Sequence, residues 1–295
     1  MRRDSDAGTN KSWVAWSPIG RSVGDHVCWP FRGHDAMTAV ARPYVSEGLA
    51  RGERVAYLAD RAPSELRQDL DGLPGLDEHV ERGRLQLVPV ATLPASDASS
   101  PDAELLSVPE AELMALAEMT AQALDGGYSG LRMFADGTER ARDPVRRARQ
   151  VRFEHLIDRF CLEHALTRLC AYDAGALGNS AVAELVCVHA LAHGDLSPFQ
   201  VHAAPTADAA LAGEIDVFCA DQLEQALQRI GVGACGEKVV IDAADLRFID
   251  IRGLLTLDWH AAAEDVILVL RSPPAVVRWL LTVVDLIAVR VEGRQ

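Results

Sequence analysis

Short apolar segments alternate with helix-like segments along almost the whole of this sequence. The segments at residues 54–60 and 238–242 are examples, since each has a short apolar run that is typical of strands buried in a sheet. Helix-start signals lie between such segments, for example Asp143 followed by Pro144. Strands that alternate with helices predict an α/β fold, in which helices cover a mostly parallel sheet.

The first two thirds of the chain contain enough of these elements for one complete domain. The predicted strands are 25–31, 54–60, 84–90, 130–136, 166–172 and 186–192. The predicted helices are 35–49, 63–70, 108–124, 143–164 and 179–185, and Pro43 is expected to kink the first of them. We therefore predict a parallel-sheet domain over residues 21–193, preceded by a flexible arm at 1–20.

A break in this pattern at residues 194–198 (GDLSP) indicates a linker. Smaller elements follow it: a hairpin at 199–204 and 210–215, helices at 220–230, 252–263 and 274–284, and strands at 238–242, 266–270 and 286–291. This ββαβαβαβ order predicts a second, smaller α/β domain over residues 199–295. We expect the two halves to fold independently.

The charge and the apolar runs of the chain exclude several classes of partner. The net charge is −14, whereas a nucleic-acid surface needs clustered positive charge. No apolar run reaches the roughly 18–20 residues of a membrane span, and the polar start lacks the apolar core of a signal peptide. The six cysteines have no paired spacing, so we expect reduced, buried thiols. These features predict a cytoplasmic protein that binds neither nucleic acid nor membrane.

The stretch 238–253 (KVVIDAADLRFIDIRG) joins a predicted strand to the start of a helix. Asp250 is placed to cap that helix, because its carboxylate can accept from the first free backbone N–H groups. A helix N-terminus beside a strand end concentrates partial positive charge, which suits a phosphate or a partner's carboxylate. This stretch is therefore a candidate contact site.

Three motifs stand out in the second half. They are residues 211–216 (LAGEID), 239–242 (VVID) continued by 248–254 (FIDIRGL), and 272–276 (SPPAV). Together they resemble the STAS family, the fold of anti-sigma-factor antagonists and of sulfate-transporter tails. In phosphoregulated members, a partner kinase phosphorylates a serine or threonine directly before the glycine. Here Arg252 takes that place and Ile251 precedes it, so the acceptor hydroxyl is missing.

The STAS resemblance implies that the second domain docks on an anti-sigma factor or a related serine kinase-like regulator. The contact residues that it implies are Asp242, Asp250, Ile251, Arg252 and Gly253. Because the acceptor hydroxyl is missing, the resemblance implies that the phosphorylation switch is absent and that control has passed to the first domain.

Five different short motifs are spread along the first half. They are residues 25–28 (DHVC), 47–53 (EGLARGE), 54–58 (RVAYL), 130–132 (GLR) and 169–173 (LCAYD). Together they resemble the MEDS family, a sensory domain of bacterial regulators and sensor kinases. The resemblance implies a fold distantly like the ATPase core of recombinases. No G-x-x-x-x-G-K-[ST] loop occurs in the chain, so ATP phosphates lack their usual cradle and we expect no hydrolysis.

Two residue pairs in the first half are candidates for a small-ligand site. His26 and Cys28 lie two apart on a predicted strand and so share a face. They suit the wall of a ligand pocket, a metal site completed by His34, or ordinary packing. Arg146 and Arg149 belong to the one dense basic cluster, at residues 140–152, which suits a solvated helix face or a contact for an anionic ligand.

Other metal signals are weak in this sequence. It has no CxxC pair, whereas a closed zinc site normally has four ligands. His189 and His193 have i, i+4 spacing, but they fall at a predicted strand end, where that spacing does not converge on one ion. We therefore expect neither a metal nor a cofactor.

Two classes of function remain. The first is a non-enzymatic signalling protein, in which the MEDS-like half senses a small ligand and the STAS-like half docks on a regulatory partner. The second is a ligand-binding or catalytic α/β protein with an accessory STAS-like module. The sequence has neither a phosphate loop nor a G-x-S-x-G elbow, which favours the first class. Assembly as a homodimer is left open.

Overall fold

The computed structural model describes residues 17–90, 101–233 and 237–292. Most of the predicted arm at 1–20 lies outside these ranges, as does Cys235. The described residues form two six-stranded sheets with helices packed on them, so the predicted α/β class is confirmed. Within the described residues, no helix combines the length and the apolar character needed to cross a membrane.

The first sheet is wholly parallel, in the order β3-β2-β4-β5-β1-β6. Its strands are β1 (His26–Phe31), β2 (Arg54–Ala59), β3 (Leu85–Pro89), β4 (Leu131–Asp136), β5 (Leu166–Asp173) and β6 (Leu191–Ala192). The helices of this half are α1 (His34–Ala50), α2 (Pro63–Asp69), α3 (Leu76–Glu81), α4 (Pro101–Asp125), α5 (Thr138–Arg142), α6 (Pro144–Glu163), α7 (Ala174–Leu177) and α8 (Asn179–Val186).

Helices cover both faces of this sheet. Successive residues of a strand point to opposite sides, so each strand contributes side chains to both faces. Val55 and Tyr57 of β2 pack with α1 and α2, whereas Ala56 and Leu58 pack with α4 and α6. Asp143 caps α6 as predicted, since its carboxylate accepts from the backbone N–H groups of residues 145 and 146. Strands β1 and β5 are likewise buried along nearly their whole length.

Two of the MEDS-like motifs meet in a buried ion pair. Arg132 of β4 is fully buried and donates to Glu53 and, at 3.1 Å, to Glu47 Oε2. Gly48 makes room for it, because a Cβ there would lie 2.4 Å from the Arg132 Cδ atom. The motifs at 47–53 and 130–132 thus have a packing role.

The predicted strand at 186–192 is wrong. Helix α8 continues to Val186, a turn follows, and only Leu191–Ala192 pair with β1. The run at 185–188 is buried, but its residues pack from a helix end and a turn. A short apolar run fits a buried helix end as well as a strand, so its pattern is ambiguous.

The second sheet has the order β10-β8-β9-β11-β12, with β7 antiparallel on β8 and all other pairs parallel. Its strands are β7 (Phe199–Ala204), β8 (Ala207–Ile215), β9 (Lys238–Asp242), β10 (Leu246–Ile249), β11 (Ile267–Arg271) and β12 (Val289–Val291). The helices are α9 (Ala220–Ile230), α10 (Ile251–Ala263) and α11 (Ala275–Val283). The predicted hairpin is confirmed, whereas β10 was missed, so the order is ββαββαβαβ.

The two halves are joined by a continuous core. Apolar residues of β5 and α8 pack in one cluster with Phe199 of β7 and Leu223 of α9. The backbone N–H of Val201 donates to the Cys187 carbonyl at 2.6 Å, and Arg229 pairs with Glu184 at 2.5 Å. Independent folding of the halves stays a prediction, and this shared core weighs against it.

Candidate functional site

A cluster of polar side chains lies buried between the centre of the first sheet and helix α6. His26 of β1 pairs in register with Arg168 of β5, so both side chains point to the face that α6 covers. Helix α6 supplies Gln150, Glu154 and Asp158, which are four residues apart and so form one stripe. All five are buried. Polar groups are costly at such a position unless they are paired, so their mutual contacts matter.

Four of the side chains in this region bring possible donor atoms together. They are His26, Glu154, Cys170 of β5 and His189, which follows α8, and their donor atoms all lie within 4.8 Å of one another. His26 Nε2 lies 3.1 Å from Glu154 Oε2 and 3.4 Å from Cys170 Sγ. Cys170 Sγ lies 3.0 Å from the same carboxylate oxygen, and His189 Nε2 lies 3.4 Å from it. We call these four residues the buried cluster.

Both histidines of the buried cluster are oriented through Nδ1. His189 Nδ1 is 2.8 Å from the Leu185 carbonyl oxygen, which can only accept, so Nδ1 carries a proton. His26 Nδ1 is 3.1 Å from Asp158 Oδ1. In the neutral imidazoles, each Nε2 therefore presents its lone pair to the cluster. His189 Nε2 is buried and forms no hydrogen bond of acceptable geometry with the described residues.

A second ring of contacts fixes the remaining cluster residues. Glu154 Oε1 accepts from the Tyr172 hydroxyl and, at 2.5 Å, from Gln150 Nε2. Cys170 Sγ accepts from Arg168 Nε at 3.1 Å. As a result, Oε1 of Glu154 is held by the ring while Oε2 faces the buried cluster.

Charge coupling within the cluster opposes the effect of burial. Burial disfavours the charged form of His26, but Cys170, Asp158 and Glu154 outweigh it and raise its pKa well above the usual range. Burial would raise the pKa of Glu154, yet the neighbouring imidazoles of His189 and His26 hold it well below its usual range. The pKa of Cys170 is lowered against burial and Glu154, chiefly by the Arg168 and His26 charges. Such opposed shifts are typical of functional sites.

The predicted ligand residues are only partly brought together. His26 belongs to the buried cluster, and Cys28 is buried beside it, in register with Cys170. Arg146 is exposed and Arg149 is partly buried on α6, away from the enclosed donors. Four arginines of the basic segment instead form ion pairs with glutamates that lie outside the segment. Arg140, Arg142, Arg147 and Arg152 contact Glu112, Glu139, Glu184 and Glu110, respectively.

The other histidines noted in the sequence lie elsewhere. His34 is 3.1 Å from Asp69 Oδ1, and His193 stacks on Trp29 with ring centroids 3.9 Å apart. Sequence reasoning missed Glu154 and Asp158, and it assigned Cys170 to ordinary packing. The available signal was the i, i+4 spacing of acidic residues on a helix that the strand pattern places over the sheet.

The predicted partner residues mostly lie at the start of α10. Asp250 caps this helix and accepts from the Gly253 N–H at 2.8 Å. Gly253 admits no side chain, since a Cβ would lie 2.7 Å from atoms of both Ile215 and Ile249. Arg252 Nη2 is 3.4 Å from Asp221 Oδ1, and its guanidinium lies 5.0 Å from the Trp259 ring centroid.

Asp242 lies apart from these residues. Asp242 is in register with Ala210 of β8. The start of α10 follows β10, which pairs with the end of β8 at Ile215, five residues beyond Ala210. At about 3.3 Å per residue, this separation is roughly 16 Å along the strand. Large apolar side chains instead accompany the start of α10. They are Val217, Phe218, Phe248 and Ile251, and Phe218 is 92% exposed. We call these four residues, with Asp250 and Arg252, the α10 surface.

Comparison with known proteins gives one match. A family model described as MEDS, the methanogen/methylotroph DcmR sensory domain, matches residues 25–190. This range includes all four residues of the buried cluster. No curated protein and no solved structure matches the chain.

Proposed function

The chain belongs to the MEDS family of sensory domains, and we propose that it is a bacterial signalling protein that senses a small ligand and passes the signal to a regulatory partner. The buried cluster carries this proposal. Two histidines, a carboxylate and a thiol buried between a sheet and the helix that covers it cost stability unless they are satisfied, and apolar residues would pack there at lower cost. A sensory domain would retain these polar residues despite their cost if they bind the ligand that it senses.

The location of the buried cluster favours binding over turnover. Cys170 and His26 are buried, and no described nucleophile or base of the cluster is exposed to solvent. A catalytic site must admit and release a substrate in every cycle, whereas a sensor needs only slow exchange of its ligand. We therefore propose a non-enzymatic role.

Asp158 gives a physical route from the buried cluster to the second half. One carboxylate oxygen accepts from His26, and the other accepts from the Ala203 N–H of β7 at 2.8 Å. Strand β7 pairs with β8, which ends at Ile215, and the Ile215 carbonyl accepts from the Asp250 N–H. A shift of His26 can thus reach the α10 surface through strands of one sheet.

We propose that the second half is a STAS domain that docks on an anti-sigma factor or related serine kinase-like regulator through the α10 surface. The STAS-like motifs and the apolar character of this surface support the proposal, because adjacent exposed aromatic and aliphatic side chains often mark protein contacts. Arg252 stands where phosphoregulated members have a hydroxyl, so this contact is controlled from the buried cluster and not by phosphorylation at that position.

Affinity capture with the full chain tests this function. Phe218→Asp places a charge on the α10 surface, whereas Met114→Asp changes an exposed apolar residue on α4 and serves as the control. We expect the wild type and the control to retain a kinase-like or anti-sigma regulator from extracts of the source cells, and Phe218→Asp to lose it. Equal capture by both variants, or no such regulator on the wild type, would overturn the docking proposal.

A further inference from the structure

Four separate elements converge on the buried cluster. His26 comes from β1, Glu154 from α6, Cys170 from β5 and His189 from the segment after α8. A tetrahedral ion with ligand bonds of about 2.0–2.3 Å holds its donor atoms roughly 3.3–3.7 Å apart. Four of the six separations among these donors are 3.0 to 3.4 Å, close to the edges of such a tetrahedron, and all six are within 4.8 Å.

The orientation of the two imidazoles matches that of metal ligands. Metal-binding histidines typically donate their second N–H to a carboxylate or a backbone carbonyl, which fixes the tautomer and the ring plane. His26 meets the Asp158 carboxylate in this way, and His189 meets the Leu185 carbonyl. The Nε2 atom of His189 is buried, forms no hydrogen bond of acceptable geometry within the described part of the chain, and faces the other donors, with Glu154 Oε2 at 3.4 Å. An ion held among the four donors would give this nitrogen a ligand bond.

The charges around the buried cluster suit a divalent cation. A glutamate and a thiolate would contribute two negative charges as ligands, and Asp158 adds a third behind His26. Arg168, which donates to the Cys170 sulfur, supplies one positive charge. A divalent ion with neutral imidazoles brings this group to zero, which is the condition for burying so many charges together.

We propose that His26, Glu154, Cys170 and His189 form a binding site for a divalent transition-metal ion, for which Zn²⁺ is the best match. Nitrogen and sulfur donors with one carboxylate suit zinc, whereas Mg²⁺ and Ca²⁺ prefer oxygen ligands alone. This inference identifies what the proposed sensory site holds. The role of this ion in sensing rests on the proposed function, but the binding of the ion to these four residues does not.

The competing interpretation is a network without an ion, in which His26 is an imidazolium held between Glu154 and Asp158. Cobalt separates the two interpretations, because Co²⁺ replaces zinc and a thiolate ligand gives it an intense charge-transfer absorption. The full chain is unfolded in urea with a chelator and refolded with Co²⁺, since the site is closed in the folded protein. We expect one cobalt per chain and a thiolate-to-cobalt band.

Matched variants assign that band. Cys170→Ala should remove the thiolate band, whereas Cys187→Ala, at another buried cysteine, should keep it. Asp158→Asn should weaken binding about 10–100-fold through His26, as loss of an outer-shell partner does elsewhere. His189→Gln should lower affinity, while a circular dichroism spectrum like that of the wild type shows that it folds. No cobalt on the wild type, or a band that persists in Cys170→Ala, would overturn the inference.

Failure of the site and failure of the proposed function are distinguishable. If one ion binds per chain but its removal leaves partner capture unchanged, the metal site stands and its sensory role is refuted. If the wild type takes up no cobalt while capture still depends on Phe218, the metal inference fails and the docking proposal stands.

Discussion

Replacing Asp158 should destabilise both halves of the protein, because this carboxylate serves one donor in each. It is buried and accepts from His26 Nδ1 at 3.1 Å and from the Ala203 N–H at 2.8 Å. Asp158→Ala would leave two buried donors without a partner, at about 1–3 kcal/mol each. Removal of one member of a buried charged pair typically costs about 3–5 kcal/mol. We expect a loss of about 3–5 kcal/mol in unfolding free energy.

Asp158→Asn gives a graded version of the same change. Its single carbonyl oxygen can serve one of the two donors, while its amide faces the other, so we expect a loss of about 1.5–3 kcal/mol. Glu163→Gln, an exposed carboxylate change on the same helix, should alter stability by less than about 0.5 kcal/mol.

Urea unfolding in the presence of a chelator measures these differences. Tryptophan fluorescence is suitable because Trp29 lies in the first half while Trp259 and Trp279 lie in the second, and far-UV circular dichroism provides a second probe. A loss below 1 kcal/mol for Asp158→Ala, or a destabilisation confined to the first half, would refute the bridging role.

Acid should weaken the fold through His155, whose burial lowers its pKa to about 4. The unfolded state then binds the proton first, so His155 by itself should cost about 2 kcal/mol of stability between pH 7.5 and 5, measured as the difference between the wild type and His155→Gln; the same pH dependence of the urea midpoint in both proteins would contradict this. Gly48→Ala should cost about 1–3 kcal/mol by thermal unfolding, because its Cβ would meet Arg132; an unchanged melting temperature would show that the arginine relaxes freely. A cognate serine kinase should phosphorylate Arg252→Ser but not Thr256, whose buried hydroxyl donates to the Arg252 carbonyl; phosphopeptide mapping that finds phosphate on Thr256 would refute this.

The alternation of strands and helices could be predicted from the sequence because strands β1 to β5 of the first sheet are short apolar runs between clear turn signals. Residues 54–59, 131–136 and 166–172 are strands in both the prediction and the structure. Strand β10 was missed because only its first and last residues, Leu246 and Ile249, are buried, which leaves no apolar run. The prediction of a strand at 186–192 was wrong for the opposite reason, since a buried helix end is as apolar in sequence as a buried strand.

The buried cluster could be predicted only in part. His26 and Glu154 are 128 residues apart, and only the pairing of β1 with β5 under α6 brings them together. In the sequence, Glu154 and Asp158 look like the charged face of a surface helix, because that helix also carries many arginines. The structure reverses this interpretation. The arginines of the basic segment pair with nearby glutamates, while the carboxylates of the 150–158 stripe turn inward.

The central claim is that the state of the buried cluster is transmitted to the α10 surface through Asp158 and the second sheet. Hydrogen–deuterium exchange tests it most directly, by comparison of the wild type, Asp158→Asn and Glu163→Gln. The account predicts faster exchange in Asp158→Asn at β7, at the end of β8 and at residues 250–254, with Glu163→Gln like the wild type. Faster exchange that stays within residues 21–193, with the second half unchanged, would contradict it.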